Sequence, residues 1–230
     1  MSNKYCPRCF SPLVPLVPSR TWSHWECTCG WFGAPKDTLN EVPPIKSPMP
    51  YVSIDLETTG LNPDCCQILE VGAVYDDWSK PLKELPVFHR YVVHHAYRGQ
   101  PYALAMNADI LRRLSGVTSG EDFCRPEDIG DQFEFWLASC GWDTKKPITP
   151  AGKNFSSFDL PFLKMVGFPT LKHRSIDPAM MYWLPLEDEK LPDMKTCMER
   201  AGIVGAVAHT AVEDALVVVQ LIRIGAGRVR

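Results

Sequence analysis

The fold of the larger part of this chain is decided by one stretch, Tyr51-Val-Ser-Ile-Asp-Leu-Glu-Thr-Thr-Gly60. The apolar run at its start predicts a β-strand, and the Thr-Thr-Gly sequence that follows predicts a turn. Because side chains two residues apart in a strand point to the same face, Asp55 and Glu57 leave the strand end on one side. Two carboxylates about 4 Å apart repel each other by several kcal/mol near a protein surface. The pair is therefore either half of a divalent-metal site or a polar strand end that faces water.

The composition narrows the class of protein. A chain of 230 residues with 45% apolar residues can hold one domain of ordinary size, with a real core, and a small module. The net charge of -3 argues against a large basic surface for duplex DNA but allows a local basic groove. No apolar run approaches the roughly 20 residues that span a bilayer, and the N-terminus lacks the apolar core of a signal peptide. We therefore expect a cytoplasmic protein without a membrane partner.

Residues 1–33 are expected to form a zinc ribbon. Four of the nine cysteines lie in two close pairs, Cys6-Pro-Arg-Cys9 and Cys27-Thr-Cys29. Four thiolates suit a structural, tetrahedral Zn²⁺, and a segment of this length cannot bury a sufficient core without such a ligand. The second pair has one intervening residue where two is commoner, and His24 is a weaker alternative ligand. The other interpretation is a disordered arm with free thiols.

Residues 34–50 contain five prolines and predict a semi-rigid linker, so the second domain comprises residues 51–230. Three strands, Tyr51 onward, 67–75 and 87–95, are joined by short links and predict an antiparallel meander. Later strands are expected at 147–151 and up to Asp177. Helical spacing and proline at helix starts predict six helices, at 101–114, 126–140, 158–166, 178–183, 192–201 and 210–224. Strands first and strand–helix alternation later indicate an α/β domain with a mixed sheet.

Two further acids stand at predicted helix starts. Asp159 follows a strand directly, where α/β sheets keep their sites, although an acid in this position also satisfies the helix dipole. Thr210 and Glu213 form a capping-box pattern, which places Asp214 in the first turn of an apolar helix. A carboxylate beside so apolar a run is costly to bury unless an opposite charge compensates it, and a metal ion is one group that could do so. His209 precedes the cap, where it either folds over the acid or is a surface histidine.

The motifs together resemble those of the DEDDh 3′→5′ exonucleases. The matching segments are Asp55-x-Glu57-Thr58-Thr59-Gly60, then Asn154-x3-Phe158-Asp159-x2-Phe162-Leu163, then His209-x-Ala211-x2-Asp214-Ala215. They occur in the family's order over residues 50–225. That superfamily includes the proofreading subunit of bacterial DNA polymerase III, oligoribonuclease and ribonuclease T. Two weaker matches are Ile68-Leu-Glu-Val-Gly-Ala73, which resembles the family's second strand, and Ala105-Met106-Asn107, which resembles the family's segment with a substrate-contacting residue.

The resemblance implies a ribonuclease H-like fold, a mixed five-stranded sheet flanked by helices. It implies that two Mg²⁺ or Mn²⁺ ions catalyse the release of nucleoside 5′-monophosphates from single-stranded DNA or RNA 3′ ends. These hard cations prefer oxygen ligands such as carboxylates. His209 would be the general base, since a histidine pKa near 6.5 suits that role. A polymerase or repair partner and a homodimer are further expectations from the family. The implied metal ligands are Asp55, Glu57, Asp159 and Asp214, and the implied nucleotide contacts are Thr58, Leu61, Met106 and Asn154.

The chain departs from the family at Lys153, where histidine is common, and in its N-terminal ribbon. Two other functions compete with an exonuclease. One is a nucleic-acid-binding or replication-complex adaptor with a residual nuclease fold, against which the intact acids and His209 argue. The other is a phosphatase of the Asp-x-Asp-x-Thr type, which Glu57 in place of aspartate makes remote.

Overall fold

The computed structural model describes residues 49–116, 118–205 and 210–227, together with the backbone of three short strands near the N-terminus. The chain divides into two units, Met1–Pro48 and Met49–Arg230. In the first unit, β1 (Val14–Pro15), β2 (Trp25–Glu26) and β3 (Phe32–Gly33) form an antiparallel sheet in that order. The four cysteines and His24 of the predicted zinc ribbon, and most of the predicted linker, lie outside the described residues, so both stay predictions.

The second unit contains a mixed five-stranded sheet, which confirms the predicted fold class. Its strands are β4 (Tyr51–Thr58), β5 (Ile68–Asp76), β6 (Val87–Val92), β7 (Phe123–Cys124) and β8 (Thr149–Ala151), in the spatial order β7-β6-β5-β4-β8. The predicted meander is confirmed, because β4 pairs antiparallel with β5 and β5 antiparallel with β6. The edge strands β7 and β8 pair parallel to β6 and β4.

The fifth strand is not the one that the sequence predicts. The segment up to Asp177 forms only an isolated parallel bridge between Ile176 and Ala151. The bridge consists of two hydrogen bonds, from the Ile176 N–H to the Pro150 carbonyl at 2.9 Å and from the Gly152 N–H to the Ile176 carbonyl at 3.1 Å. Directly after it, the Asp177 carboxylate accepts the backbone N–H of Ala179 at 2.8 Å and begins a helical turn. The sheet is completed instead by β7, whose two residues are too few to show a periodic pattern in the sequence.

Seven α-helices flank this sheet in the described part of the chain. On one face, Phe133 of α3 and Phe162 of α4 pack with Val52 and Ile54 of β4. On the other face, α7 packs Ala215, Val218 and Ile222 against Tyr51 and Val74. The helices are α1 (Pro101–Met106), α2 (Ala108–Leu114), α3 (Ile129–Ser139), α4 (Asp159–Met165), α5 (Ala179–Tyr182), α6 (Met194–Ala201) and α7 (Ala211–Gly225). Among these described residues, none of the helices has the length and apolarity that crossing a bilayer requires.

Two predictions about helix ends are wrong in detail. The single helix predicted over 101–114 is divided at Asn107, whose side-chain amide donates to the Thr58 carbonyl at 3.0 Å. The capping box at Thr210 does not form as predicted. Its hydroxyl donates to the Glu213 carboxylate at 2.6 Å instead of accepting a backbone N–H, although Thr210 is the N-cap residue of α7. In both places a side-chain contact replaces the local pattern.

The far end of α7 is attached to β5 by a buried ion pair. Arg223 donates through Nε to both Asp76 carboxylate oxygens, at 3.1 and 3.3 Å, and through its terminal nitrogens to the carbonyls of Lys80 and Asp77. Both charged side chains are almost fully buried, so each depends on the other for compensation. The pair therefore ties the C-terminal half of α7 to the sheet.

We expect the Asp193→Ala substitution to destabilise the second unit modestly. The Asp193 carboxylate caps α6 by accepting the Thr196 backbone N–H at 2.8 Å. Loss of such a cap costs about 1 kcal/mol, which corresponds to roughly 2–4 °C in Tm. Thermal unfolding of the two proteins checks this, and Asp193→Asn should retain most of the stability. An unchanged Tm in the alanine variant would contradict the cap.

Candidate active site

Asp55 and Glu57 lie at the C-terminal end of β4, on the face that α7 covers. Their neighbours Val52, Ile54 and Leu56 point to the opposite face and belong to the core under α3 and α4. Both carboxylates are half-buried. The pairing of β4 with β5 shifts register between Glu57 and Thr58, so the ladder has a bulge or irregularity beside the acids, with the extra residue, Leu69, on β5. Bulges of this kind often re-aim side chains next to active sites.

Asp214 joins these two acids from a distant part of the chain. It lies in the first turn of α7 and is buried. One carboxylate oxygen from each of Asp55, Glu57 and Asp214 lies within 4.8 Å of the others. Two secondary-structure elements separated by more than 150 residues thus place three acids around one small volume.

Asp159 stands beside this group at the first residue of α4. Its side chain is buried, with 2% of its surface exposed. Burial, and to a smaller extent the charge of Glu57, raises its pKa, while hydrogen bonds from the backbone N–H groups of Asp159 itself and of Leu56 act in the opposite direction. Asp159 in turn contributes to the electrostatic field on Asp55. Asp159 therefore interacts electrostatically with Asp55 and Glu57, although it is not among the acids whose oxygens lie within 4.8 Å of one another.

The electrostatics of the cluster disfavour ionisation. Burial, and then the charges of Asp159, Asp214, Glu57 and Glu70, raise the pKa of Asp55 well above its usual value. Burial, followed by the charges of Glu70 and Asp214, raises the pKa of Glu57 to about 7. Burial is also the main cause that raises the pKa of Asp159, to about 8. A cation at this position would relieve both the desolvation and the mutual repulsion.

The chemistry of the donors fits hard divalent cations. The group consists only of carboxylate oxygens, the ligands that Mg²⁺ and Mn²⁺ prefer, and it contains no thiolate or imidazole among the described residues. Four acids close together supply the negative charge that one or two such ions would neutralise. The assignment of the four acids as ligands remains an inference from this fit.

Three of the predicted nucleotide contacts, Thr58, Leu61 and Met106, lie at the end of β4, in the turn after it and on α1. The Thr58 side chain is buried and donates to the Gly60 carbonyl, while the Leu61 side chain is 73% exposed. Gln100 fastens this turn to the start of α1, since its backbone N–H donates to the Thr59 carbonyl at 2.8 Å and its side chain accepts the Leu61 N–H. Met106, half exposed, lies at the other end of α1. Leu61 and Met106 thus present exposed apolar surface on the turn after β4 and on α1.

Asn154 is held in an unusual backbone conformation. Its φ of 59° lies in the left-handed region, which asparagine tolerates better than most residues. Its backbone N–H donates to the Asp177 carboxylate at 3.0 Å. The side chain is exposed in the segment that leads into α4, so it is free to contact a ligand.

The predicted general base lies outside the described residues, because residues 206–209 are not described. The next described residue is Thr210, at the N-terminus of α7. The role of His209 therefore stays a prediction.

The sequence analysis missed one acidic residue, Glu70 on β5. Its side chain is 2% exposed, and its charge is the largest neighbouring contribution to the raised pKa of Glu57. It stands opposite Glu57 in the pairing of β4 with β5. A single acid inside the apolar run from Ile68 to Tyr75 was the signal in the sequence, because a fully buried strand rarely contains a charge without a partner.

The fold is that of exonucleases. No protein-family model matches the chain, and no curated protein matches it in sequence. Solved structures do match. Cell-death related nuclease 4 superposes with a TM-score of 0.56 and 14% identity over 77% of this chain, and Escherichia coli exonuclease I with a TM-score of 0.56 and 16% identity over 78%. Exonuclease I from Methylocaldum szegediense superposes with a TM-score of 0.55 and 12% identity over 78%.

This chain spans 64% of the length of cell-death related nuclease 4 and 41% of either exonuclease I. Structures of the E. coli enzyme include a complex with a dT13 oligonucleotide, a zinc-bound form with single-stranded DNA, and a complex with SSB-Ct. At these identities the similarity establishes a shared fold.

Proposed function

We propose that this chain is a metal-dependent 3′→5′ exonuclease that releases nucleoside 5′-monophosphates from single-stranded DNA or RNA ends. The observation that carries the proposal is the cluster of Asp55, Glu57 and Asp214 within 4.8 Å, with Asp159 beside it. The cluster lies on a fold that is shared with exonucleases, one of which forms a complex with a single-stranded oligonucleotide.

The four acids would hold two Mg²⁺ or Mn²⁺ ions. Such ions, when bound, stabilise the charge that develops on the attacking and leaving oxygens of a phosphodiester. His209 would accept a proton from the attacking water. The water oxygen would form a bond to phosphorus as the bond from phosphorus to the 3′ oxygen breaks. The leaving 3′ oxygen would take a proton from solvent water and become the 3′ hydroxyl of the shortened strand, while the phosphate leaves with the nucleoside 5′-monophosphate.

The turn after β4 would bind the terminal nucleotide. Leu61 and Met106 offer exposed apolar surface to the base, and the exposed Asn154 side chain offers polar groups to the sugar and phosphate. Thr58, whose buried hydroxyl donates to the Gly60 carbonyl, would contribute by holding the turn in place. Apolar side chains suit every base, because each base has an apolar face. This predicts a nuclease with little dependence on sequence.

The test is hydrolysis of matched DNA and RNA oligonucleotides that carry a 5′ label. With Mg²⁺ or Mn²⁺ the label should pass through a ladder of shortening strands, and a chelator should stop the reaction. Immediate release of the label as a mononucleotide would indicate the opposite polarity. Binding without turnover, with both metals and on both nucleic acids, would contradict the proposal and favour the adaptor function.

We expect the Leu61→Ala substitution to weaken substrate binding without affecting stability. The side chain is 73% exposed, so the folded protein loses little when it is shortened. Loss of its contact with a base is worth about 1 kcal/mol, or roughly a fivefold increase in KM at unchanged kcat. Steady-state kinetics on a short oligonucleotide measure the effect. Leu186, a fully exposed leucine with no assigned role, supplies the control Leu186→Ala.

A further inference from the structure

Glu70 links three elements around the candidate active site. On one side, His89 Nε2 on the neighbouring strand β6 lies 2.6 Å from its Oε1, so the imidazole N–H donates to the carboxylate. On the other side, the backbone N–H of Ala211, the first residue of α7, donates to Oε2 at 3.4 Å. Both oxygens of this buried side chain are therefore engaged, one by the sheet and one by the helix.

The start of α7 lies directly against β5 at this point. Gly72, two residues beyond Glu70, has no side chain, and a Cβ placed there would come within 2.2–2.4 Å of the backbone of Ala211 and Val212. Only glycine allows so close an approach of a helix to a strand. The absence of a side chain at Gly72 lets the backbone of α7 approach β5 closely. The Glu70 carboxylate can then accept the backbone N–H of Ala211, the first residue of α7. The same end of a helix also favours a negative charge.

This contact bears on the position of Asp214. The Asp214 backbone N–H bonds to the Thr210 carbonyl at 3.0 Å, so the carboxylate position depends on how the first turn of α7 is held. Among the described residues, the acids whose oxygens lie within 4.8 Å of one another are Asp55, Glu57 and Asp214, and Glu70 is not one of them. Glu70 thus lies outside the group of three acids and bonds to the helix that carries one of them.

We propose that Glu70, held by His89, is a positioning residue that fixes the first turn of α7 and thereby sets the Asp214 carboxylate against Asp55 and Glu57. Its consequences for hydrolysis and for metal affinity rest on the proposed function, but its consequence for the helix does not. The carboxylate acts through hydrogen bonds to imidazole and backbone, as the groups that orient metal ligands commonly do.

The experiment compares Glu70→Ala with Glu70→Gln in the full chain. Glutamine retains an oxygen for the Ala211 N–H and an amide that can bond to His89, whereas alanine loses both contacts. In Glu70→Ala, amide hydrogen exchange in residues 210–216 should accelerate at least about tenfold. Its affinity for Mn²⁺, measured by calorimetry, should fall about 10–100-fold, the usual effect of losing such a partner. In Glu70→Gln both values should stay within a few-fold of the unmodified protein.

Asp76→Asn is the matched control. Asp76 is another buried acid of β5 that bonds to α7, at the far end of that helix through Arg223. This variant should unfold at a lower temperature and exchange faster near Arg223, with unchanged Mn²⁺ affinity. If Glu70→Ala fails to fold, His89→Ala, at a position 27% exposed, gives the same readouts.

Unchanged exchange in residues 210–216 together with unchanged Mn²⁺ affinity, in folded Glu70→Ala or in His89→Ala, would overturn the proposal. Equal losses in Glu70→Gln and Glu70→Ala would also contradict it, because the hydrogen bonds would then not be the cause. If the unmodified chain binds Mn²⁺ but hydrolyses no oligonucleotide, the proposed function is wrong. Amide hydrogen exchange in residues 210–216 and Mn²⁺ affinity would still decide the role of Glu70.

Discussion

The Asp214→Asn variant is expected to hydrolyse single-stranded 3′ ends at least about 1,000-fold more slowly than the unmodified chain. Asp214 supplies one of the three carboxylates that lie within 4.8 Å of one another. An amide in its place removes a negative charge and weakens the hold on a divalent ion. Stabilisation of the transition state by such an ion is worth several kcal/mol, and about 4 kcal/mol corresponds to a factor of about 10³.

The neighbouring acid Glu213 provides the control for this measurement. It lies in the same turn of α7 but is exposed and bonds to Thr210, so Glu213→Gln should retain hydrolysis within about threefold. Single-turnover rates with saturating Mn²⁺ measure both variants, and circular dichroism confirms that both are folded. A rate for Asp214→Asn above about a tenth of the original would show that this carboxylate is not part of the reacting site.

The stability of the metal-free protein is expected to fall as the pH rises from about 5 to 9. The pKa of Glu57 is raised to about 7 and that of Asp159 to about 8 in the folded protein, mainly by burial. The folded state therefore binds more protons than the unfolded state in this range. Each of these carboxyl groups contributes stability that is fully present below its ordinary pKa, near 4. That stability is lost as the pH rises through the raised pKa of the group in the folded protein.

The size of this loss follows from the shifts. For Glu57 alone, the rise from 4.5 to about 7 corresponds to about 3 kcal/mol, which is a large part of the stability of a typical domain. Asp55 shifts in the same direction, because burial and the neighbouring carboxylates raise its pKa well above its usual value. Saturating Mg²⁺ or Mn²⁺ should remove most of the dependence, since a cation stabilises the ionised carboxylates that the fold otherwise disfavours.

Denaturant unfolding at a series of pH values, with a chelator and with Mn²⁺, tests this expectation. Glu57→Gln should flatten the metal-free profile and should stabilise the protein at pH 8. Asp143→Asn, at an exposed acid on the loop after α3, should leave the profile unchanged. A metal-free protein whose stability is constant or increases between pH 5 and 9 would contradict the raised pKa values.

Parts of the site were predictable because they depend on local geometry. The two-residue period of a strand places Asp55 and Glu57 on one face, and the apolar residues that alternate with them, Ile54 and Leu56, mark the opposite face, which packs under α3 and α4. The first turn of a helix is similarly recognisable, and Asp159 and Asp214 lie where their helix-start signals predict. The antiparallel meander followed from the short links between β4, β5 and β6.

Other features depend on contacts between distant residues and leave no local pattern. Strand β7 exists because the edge of β6 offers free hydrogen-bonding groups to a two-residue segment. The helix predicted over 101–114 is interrupted because the Asn107 amide reaches the carbonyl of Thr58. In each case a long-range hydrogen bond overrides a local preference that is worth a fraction of a kcal/mol per residue.

The sequence alone determined the identity of the acids, their order along the chain and the strand and helix starts that hold them, since these follow from periodicity and capping. Only the tertiary structure decided how closely Asp214 approaches Asp55 and Glu57, and that the Glu70 carboxylate lies between His89 and Ala211. The physical reason is the packing of α7 on β5. The absent side chain of Gly72 sets the distance between helix and strand, and that distance decides which carboxylates share one volume.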